Sequence, residues 1–438
     1  MSSVIYKNLN TEPIWATGGS GVWLTDRDGR NYLDTCGGVA VSSLGHCHPR
    51  VMDAIAREVK NLSWAHAGSF TTPPAEELAE LLCSFPGALP KAQFLSGGSE
   101  AMEVALKLVY QYHCERGETE RRLVISRRQS FHGSTLAMLA ISGNRQRRSV
   151  FEPVLGPAEF VSPCYEYRDR RPEESQEDYA QRLADELEAK ILAVGPHRVA
   201  AFTAETVVGS TNGAVPAVPG YFAKLKAVCE RYGVLMLLDE VMAGLGRTGH
   251  HFAYYEDGVV PDLVAVGKGL AAGYLPISAL LISDQVHATI GAGSGVQQNG
   301  QTHVNHPLAS AAALEVQRTI VEEGLLSNVL ARGEQLRREL AERFADTDSV
   351  GDIRGRGLFV GVEFVTDRVS HAPRSGGAAL VAALKREGFA RGLLLYPGSG
   401  TVDGVIGNHV LFAPPFIATE ADISEMVGRF GEVVDACL

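Results

Sequence analysis

The 438-residue sequence lacks the cysteine patterns on which disulfide frameworks and structural zinc sites depend. Its 7 cysteines are scattered, odd in number and include no Cys-x-x-Cys pair. Because disulfide-rich folds and zinc sites use paired, regularly spaced cysteines, neither a disulfide framework nor a metal site is expected. The pattern predicts a reducing, cytoplasmic environment.

Long apolar runs and an excess of positive charge are also missing. No uninterrupted apolar segment approaches the roughly 18 residues that a membrane-spanning helix needs. The start, Met1 to Lys7, has no apolar signal-peptide core. The formal net charge is −11, and the basic cluster at Arg145, Arg147 and Arg148 is short. Since nucleic acids and anionic membranes attract clustered positive charge, we expect neither as a partner.

Two short apolar runs that end on charged residues mark the middle of the chain. The run 234–238 stops on Asp239, and the run 263–266 leads to Lys268 between two glycines. Such runs are typical of strands buried on both faces of a parallel sheet. The carboxyl ends of these strands are where open α/β sheets bind ligands. We therefore predict that Asp239 and Lys268 lie at one sheet edge.

Asp239 and Lys268 have the side chains that one type of cofactor chemistry requires. Desolvation lowers the pKa of a lysine and favours the neutral amine, which forms Schiff bases. A neighbouring aspartate can hold a proton on a pyridine nitrogen, which makes pyridoxal phosphate (PLP) an electron sink. A surface lysine in an ion pair with a strand-end acid would fit the same spacing. Spacing alone does not separate these two interpretations.

Four short motifs follow one another between residues 238 and 270: Leu-Asp-Glu-Val at 238–241, Gly-Leu-Gly-Arg-Thr-Gly at 244–249, Pro-Asp at 261–262 and Gly-Lys-Gly-Leu at 267–270. Together they resemble the signature of class III aminotransferases, which are PLP enzymes of fold type I. The resemblance implies that Lys268 forms the Schiff base with PLP and that Asp239 pairs with the pyridinium nitrogen. It also implies that Val241 packs against the cofactor ring.

A glycine-rich turn precedes a predicted helix through Met102 and Val109. Glycines between a strand and a helix leave backbone N–H groups free to bind an anion. An ordinary helix cap with Ser99 at the N-cap position would have the same sequence. The resemblance assigns Gly98 and Ser99 to the PLP phosphate.

Two further predicted strands end near chemically suitable residues. Phe131 and His132 follow the apolar run 123–125 and resemble the family's aromatic-His-Gly motif, which places Phe131 over the cofactor ring. A phenylalanine in the core is the alternative. Glu205 ends the next strand, and Thr206 stands where the family usually has proline. We expect Phe131, His132 and Glu205 at the cofactor.

The position of Thr302 resembles that of the family's threonine that reaches the phosphate in the partner subunit. The resemblance therefore implies at least a homodimer, in which Thr302 serves the other active site. A hydroxyl at a helix entry is the alternative. The preceding glycine-rich stretch 291–295 lacks the βαβ context of a dinucleotide loop and is interpreted as a mobile loop.

Strand and helix patterns alternate from about residue 70 to 325 and change afterwards. Alternation of this kind is typical of an α/β domain with a mostly parallel sheet flanked by helices. We expect a large PLP-binding domain at 61–325 and a smaller α+β domain at 326–438. The N-terminal segment 1–60 is expected to join the smaller domain.

The implied reaction is transamination by a ping-pong mechanism from an amine to a 2-oxo acid. Many family members bind a substrate carboxylate with an arginine near an Ala-Pro-Pro turn. No arginine stands between Arg391 and the turn at 413–415. Either another arginine binds the carboxylate, or the donor is an ω-amino acid or amine, with pyruvate as acceptor. A racemase, decarboxylase or lyase on the same fold is an alternative, as is a non-catalytic scaffold.

Overall fold

Residues 2–438 are described by the computed structural model, and its strands coincide with the apolar runs of the sequence. The strands are β1 (Ala16–Ser20), β2 (Trp23–Asp26), β3 (Asn31–Asp34), β4 (Lys91–Leu95), β5 (Leu123–Arg127), β6 (Glu159–Val161), β7 (Val199–Glu205), β8 (Val207–Val208), β9 (Val215–Pro216), β10 (Leu235–Asp239), β11 (Leu263–Val266), β12 (Ser278–Ile282), β13 (Val350–Arg356), β14 (Phe359–Phe364), β15 (Leu393–Leu394), β16 (Tyr396–Ser399) and β17 (Asn408–Phe412).

The helices follow the amphipathic patterns of the sequence. They are α1 (Gly37–Ala40), α2 (Pro49–Asn61), α3 (Pro73–Ser84), α4 (Gly98–Glu115), α5 (Leu136–Ile141), α6 (Arg145–Arg148), α7 (Glu166–Asp169), α8 (Gln176–Val194), α9 (Tyr221–Tyr232), α10 (Asp284–Ala292), α11 (Pro307–Glu322), α12 (Leu325–Arg343), α13 (Gly377–Ala390) and α14 (Glu420–Cys437). Because α10 extends to Ala292, the interpretation of the whole stretch 291–295 as a loop is wrong for its first two residues.

The central sheet has seven strands in the order β4-β12-β11-β10-β7-β5-β6. Only β12 runs against the others, since it pairs antiparallel with both β11 and β4. Every residue of β7, β10 and β11 is buried, as expected for strands covered by helices on both faces. The predicted α/β class with a mostly parallel central sheet is confirmed.

The register of the central sheet places three strand ends side by side. Asp239 at the end of β10 pairs with Glu205 at the end of β7 and with Ala265 of β11. Lys268 follows β11 directly in a short 3₁₀ turn, Lys268–Leu270. The sheet therefore directs both acids and the lysine to one edge.

Two smaller sheets contain the chain's first and last parts. Strands β13, β14, β17 and β16 form an antiparallel sheet, and β1, β2 and β3 form a second sheet with β15. In that sheet β3 and β15 run parallel and pair Leu33 with Leu393. This pairing supports the grouping of residues 1–60 with 326–438. The boundaries 61–325 and 326–438 remain our proposal.

The His-Cys-His stretch near the N-terminus makes contacts within the fold. His46 Nε2 lies 3.2 Å from Asp34 Oδ2, and the backbone N–H of His48 donates to the Tyr274 hydroxyl at 2.6 Å. Within residues 2–438 no three side chains of His, Cys, Asp or Glu are grouped as metal ligands. Over the same range no helix has both the length and the apolar character needed to cross a bilayer.

Candidate active site

A cavity of about 380 Å³ opens at the carboxyl ends of β7, β10 and β11. Of the nine predicted site residues, all except Thr302 line this cavity: Gly98, Ser99, Phe131, His132, Glu205, Asp239, Val241 and Lys268. The sequence analysis missed several apolar lining residues, including Val41, Met242 and Leu275. No chemical signal marks these residues, because each is an ordinary apolar side chain in a loop or turn.

Lys268 is held at the cavity in an unfavourable backbone conformation. Its φ is +36°, a left-handed value that costs a non-glycine residue about 1–2 kcal/mol. Gln317 stabilises the turn, since its side-chain amide donates to the carbonyls of Gly269 and Leu270 at 3.0 Å each. Desolvation lowers the pKa of the Lys268 amine, although the charges of Asp239 and Glu205 oppose that effect. The result is an amine that loses its proton more readily than an exposed lysine.

Asp239 is fixed by two hydrogen bonds. Its Oδ1 accepts the backbone N–H of Val241 at 3.0 Å, and its Oδ2 lies 2.9 Å from His132 Nδ1. The other ring nitrogen of His132 lies 3.3 Å from Ser126 Oγ. The chain Ser126–His132–Asp239 therefore holds the Asp239 carboxylate in a fixed orientation at the cavity.

Glu205 connects the loops that surround the cavity. Its two carboxylate oxygens accept the backbone N–H groups of Phe131 and Gly209, each at 3.0 Å. Burial raises the pKa of Glu205, while the two N–H donors favour the charged form. Thr206, which replaces the family's proline, is buried between β7 and β8. The substitution leaves Glu205 at the sheet edge.

The first turn of α4 forms a cradle with free N–H donors. The helix begins at Gly98 with Gly97 as its N-cap, so the alternative with Ser99 as N-cap is wrong. Over residues 2–438, the N–H groups of Gly98, Ser99 and Glu100 have no acceptor. A Cβ on Gly98 would lie 2.8 Å from Val241 Cγ1, so the close approach requires glycine. Free N–H groups at a helix N-terminus fit a phosphate.

Phe131 has a cation against its ring. The guanidinium carbon of Arg147 lies 4.0 Å from the ring centroid of Phe131, and Arg147 Nη2 donates to Ser210 Oγ at 3.0 Å. In the sequence, Arg147 is visible only as part of a short basic cluster. Its place against the Phe131 ring depends on a tertiary contact that sequence patterns do not contain.

Thr302 lies outside the cavity of its own chain. Its side chain is exposed, and its carbonyl accepts the indole N–H of Trp64 at 3.2 Å. Thr302 is therefore not brought together with the other eight predicted site residues. A role in this chain's own cavity would require a different placement.

No arginine lines the cavity as the structure describes it over residues 2–438. On β17, where the family's arginine was sought, Asn408, His409 and Leu411 are buried, while the preceding Ile406 is 43% exposed. His409 Nδ1 lies 2.7 Å from Thr401 Oγ1, and burial lowers the pKa of His409 to about 3. His409 is therefore neutral at neutral pH and supplies no positive charge.

The cavity contains groups suited to three different parts of PLP. The N–H cradle suits its phosphate, Asp239 suits a protonated pyridine nitrogen, and Lys268 suits its aldehyde. Apolar side chains, Phe131 and Val241, can cover the faces of a flat ring. The residues therefore fit the cofactor that the sequence implies.

Comparison with known proteins agrees with the resemblance found in the sequence, and the agreement extends over almost the whole chain. The family model described as aminotransferase class-III matches residues 5–434. An uncharacterized aminotransferase of Schizosaccharomyces pombe is 39% identical over 433 residues, which cover 98% of this chain and 94% of that protein. Gamma aminobutyrate transaminase 3 of Solanum lycopersicum is 32% identical over 438 residues, covering 98% of this chain and 82% of the relative.

A solved structure is similar in fold as well as in sequence. The omega transaminase from Pseudomonas jessenii in complex with PMP superposes with a TM-score of 0.92 at 32% identity, covering 99% of this chain and 96% of that one. Matches of this extent confirm the predicted family, enzyme class and cofactor. The chain belongs to the class III aminotransferases and is a PLP-dependent transaminase of fold type I.

Proposed function

We propose that this transaminase moves an amino group from an ω-amino acid or amine to a 2-oxo acid, with pyruvate as the acceptor. The reaction would follow ping-pong kinetics, in which the oxo product of the donor leaves before the acceptor binds. The observation that supports the proposal most is that Lys268 and Asp239 line one cavity at adjoining strand ends.

Lys268 and Asp239 divide the proton chemistry between them. When bound, PLP supplies an electron sink that makes the hydrogen on the amine-bearing carbon of the donor acidic. Lys268 Nζ would remove that hydrogen as a proton and return it, and desolvation supports this role because it favours the neutral amine. Asp239 would hold a proton on the pyridine nitrogen, and its bond to His132 Nδ1 keeps it oriented.

The remaining site residues would bind and orient the cofactor. The N–H groups at Gly98 and Ser99 would bind the phosphate, and Phe131 and Val241 would cover the ring. Glu205 would keep the loop of Phe131 in place through its bond to the Phe131 N–H. These roles use groups that already have fixed positions in the protein.

The donor class is supported by the charges around the cavity. A dicarboxylate such as glutamate needs cationic groups for both carboxylates. No arginine lines the cavity in the described part of the chain. The names of similar proteins, a gamma aminobutyrate transaminase and an omega transaminase, fit a donor whose amine is at the end of its chain. We therefore favour ω-amino acids and amines over glutamate.

A panel of donors and acceptors tests the substrate class. With pyruvate as acceptor, we expect kcat/KM for 4-aminobutanoate or a primary amine to exceed that for glutamate with 2-oxoglutarate by about tenfold or more, the effect of about one charge-assisted hydrogen bond. Product analysis should give one alanine per oxo product. A clear preference for glutamate would refute the donor class, and retention of the donor's amino group would favour a racemase.

We further propose a homodimer in which Thr302 reaches the phosphate of the partner's cofactor. The exposed position of Thr302, away from its own cavity, supports this role. Large apolar side chains that a partner could cover are exposed on α2 and after it: Met52 47%, Val59 54%, Leu62 38%, Trp64 41% and Phe70 68%. Trp64 contacts Thr302 directly, so the apolar group and the threonine belong to one surface.

Hybrid dimers test whether Thr302 acts in the other subunit. Thr302→Ala should weaken PLP binding about tenfold, because one hydrogen bond to a charged group is lost. At limiting PLP, mixing Lys268→Ala with Thr302→Ala subunits should produce hybrids with one fully intact site and restore activity. Thr289→Ala, which removes a hydroxyl bonded only to the Gln285 carbonyl, is the control. A monomer in sedimentation, or hybrids without restored activity, would contradict the proposal.

We also propose a cytoplasmic, reducing location. All 7 cysteines have free thiols. Burial raises the pKa of Cys164 to about 11 and that of Cys229 to about 12, which keeps both thiols protonated and unreactive. Free thiols are typical of proteins in a reducing compartment.

A further inference from the structure

We propose that Arg147 binds the carboxylate of an ω-amino acid donor, at the end of the molecule remote from the reacting amine. Arg147 would thereby set the preference for ω-amino acids over plain amines. The inference rests on the proposed function, since it names the group that recognises one of the two proposed donor types.

The guanidinium of Arg147 has no counter-ion in residues 2–438. No carboxylate oxygen lies within 4.0 Å of it, whereas the neighbouring Arg148 pairs with Glu152 at 3.0 Å. Its one side-chain hydrogen bond is from Nη2 to Ser210 Oγ at 3.0 Å, so most of its five N–H donors have no acceptor. Arg147 is also half-buried, which makes an unpaired charge more costly than on the open surface. An anionic ligand would satisfy both the charge and the donors.

The place of Arg147 suits a carboxylate that is separated from the amine by several carbons. Its guanidinium packs at 4.0 Å against Phe131, and Phe131 lines the cavity that contains Lys268. Burial is the main cause that lowers the pKa of Lys268, and the positive charge of Arg147 contributes in the same direction, so Arg147 is close enough to act electrostatically on the amine. A donor lying past the edge of Phe131 would place its amine toward Lys268 and its carboxylate toward Arg147.

Other arginines around the site are either almost completely buried or paired with carboxylates, although Arg127 Nε and Arg247 Nη2 are themselves buried without an acceptor. Arg127 is 1% exposed and donates to the carbonyl of Glu205. Arg247 is 2% exposed and donates to the carbonyls of Leu358 and Pro414. Arg354 pairs with Glu363 and Asp352 at 2.6 and 2.7 Å. Arg147 is therefore the arginine beside this cavity that can accept a new carboxylate.

Arg147 also has a structural contact, and the experiment must separate that role from carboxylate binding. Its side chain supports Phe131 and reaches Ser210, so removing it could shift the aromatic ring. A displaced Phe131 would slow every donor alike. Loss of a carboxylate contact would slow only donors that carry a carboxylate. Paired donors of equal length distinguish these effects.

The test compares Arg147→Gln holoenzyme with wild type on 4-aminobutanoate and 5-aminopentanoate against butylamine and pentylamine. In ping-pong kinetics the donor's kcat/KM does not depend on the acceptor, so pyruvate can be kept constant. We expect kcat/KM for the two amino acids to fall about 10- to 100-fold, mostly through KM, as for the loss of charge-assisted hydrogen bonds. For both alkylamines, kcat/KM should stay within about threefold of the wild-type value, a much smaller change than that for the amino acids.

Two variants serve as controls. Arg147→Lys keeps the positive charge but loses the paired N–H donors of the guanidinium. Its kcat/KM for the two amino acids should lie between the values for wild type and Arg147→Gln. Arg145→Gln changes an exposed arginine of the same short helix and should leave both donor types unchanged. Equal losses on amino acids and alkylamines, or no loss on either, would overturn the inference. Failure of the wild type to use any ω-amine would instead refute the proposed function.

Discussion

Lys268→Ala should reduce the turnover of transamination by about 10⁴-fold or more, because the variant loses its nucleophile and its proton-transferring base together. The wild-type amine suits both tasks, since burial lowers its pKa and the turn after β11 holds it at the cavity. Steady-state turnover with pyruvate and an ω-amine measures the loss. The absorption band of enzyme-linked PLP should disappear at the same time.

Chemical rescue shows whether Lys268→Ala is inactive because it lacks the base or because it is misfolded. Added methylamine can enter the space left by the lysine side chain and should restore part of the proton transfer in Lys268→Ala. Lys385→Ala, which removes an exposed lysine on α13, should keep full activity and the cofactor band. Lys268→Ala protein that keeps more than about one hundredth of wild-type turnover would show that another group is the base.

Asp239→Asn should lower kcat by about 10³-fold while PLP remains bound, because the amide cannot hold a proton on the pyridine nitrogen. Asparagine preserves the shape of the side chain and an acceptor for the N–H of Val241. The bond to His132 Nδ1 can persist in the other tautomer of the imidazole. The change therefore isolates the charge of Asp239 from its packing.

Cofactor content and thermal unfolding check this interpretation. Asp239→Asn should bind PLP through Lys268 and the helix cradle, and its thermal unfolding should match that of Asp284→Asn, an exposed acid in the first turn of α10. If the kcat of Asp239→Asn falls by less than about tenfold, far below the effect of a lost electrostatic contact, then Asp239 does not stabilise the reaction.

The strand ends that form the active site could be predicted from the sequence, but several of the contacts there could not. Asp239, Glu205 and Lys268 each follow an apolar run, and apolar burial alone is enough to align such runs in a sheet. The roles of Val241 and Thr302 required the family resemblance, because a valine and an exposed threonine have no distinctive chemistry. Burial determines where the strands lie. Residues whose role depends on a cofactor or on another subunit leave no recognisable pattern in the sequence.

Other features depend on tertiary contacts. The run 278–282 has the composition of any buried strand. Its reversed direction follows from the short connection 267–277, which returns the chain at the same edge of the sheet where β11 ends. The contact between Arg147 and Phe131 joins residues 16 positions apart through a short helix that sequence periodicity does not reveal. The apolar run 393–396 reads as one strand in the sequence but is divided at Leu395, because β15 and β16 join different sheets.

The pairing of β3 with β15 affects how the protein is completed during synthesis. Strand β3 is made first, but its neighbour Leu393 leaves the ribosome 360 residues after Leu33. At about 5–20 residues per second, the sheet of β1, β2 and β3 waits roughly 20–70 seconds for that neighbour. Its buried side chains Val22 and Leu33 pack in one core with Leu336 and Phe430, which are also made late. A small sheet needs a packed hydrophobic face to be stable, so these three strands are among the last to be fixed in place.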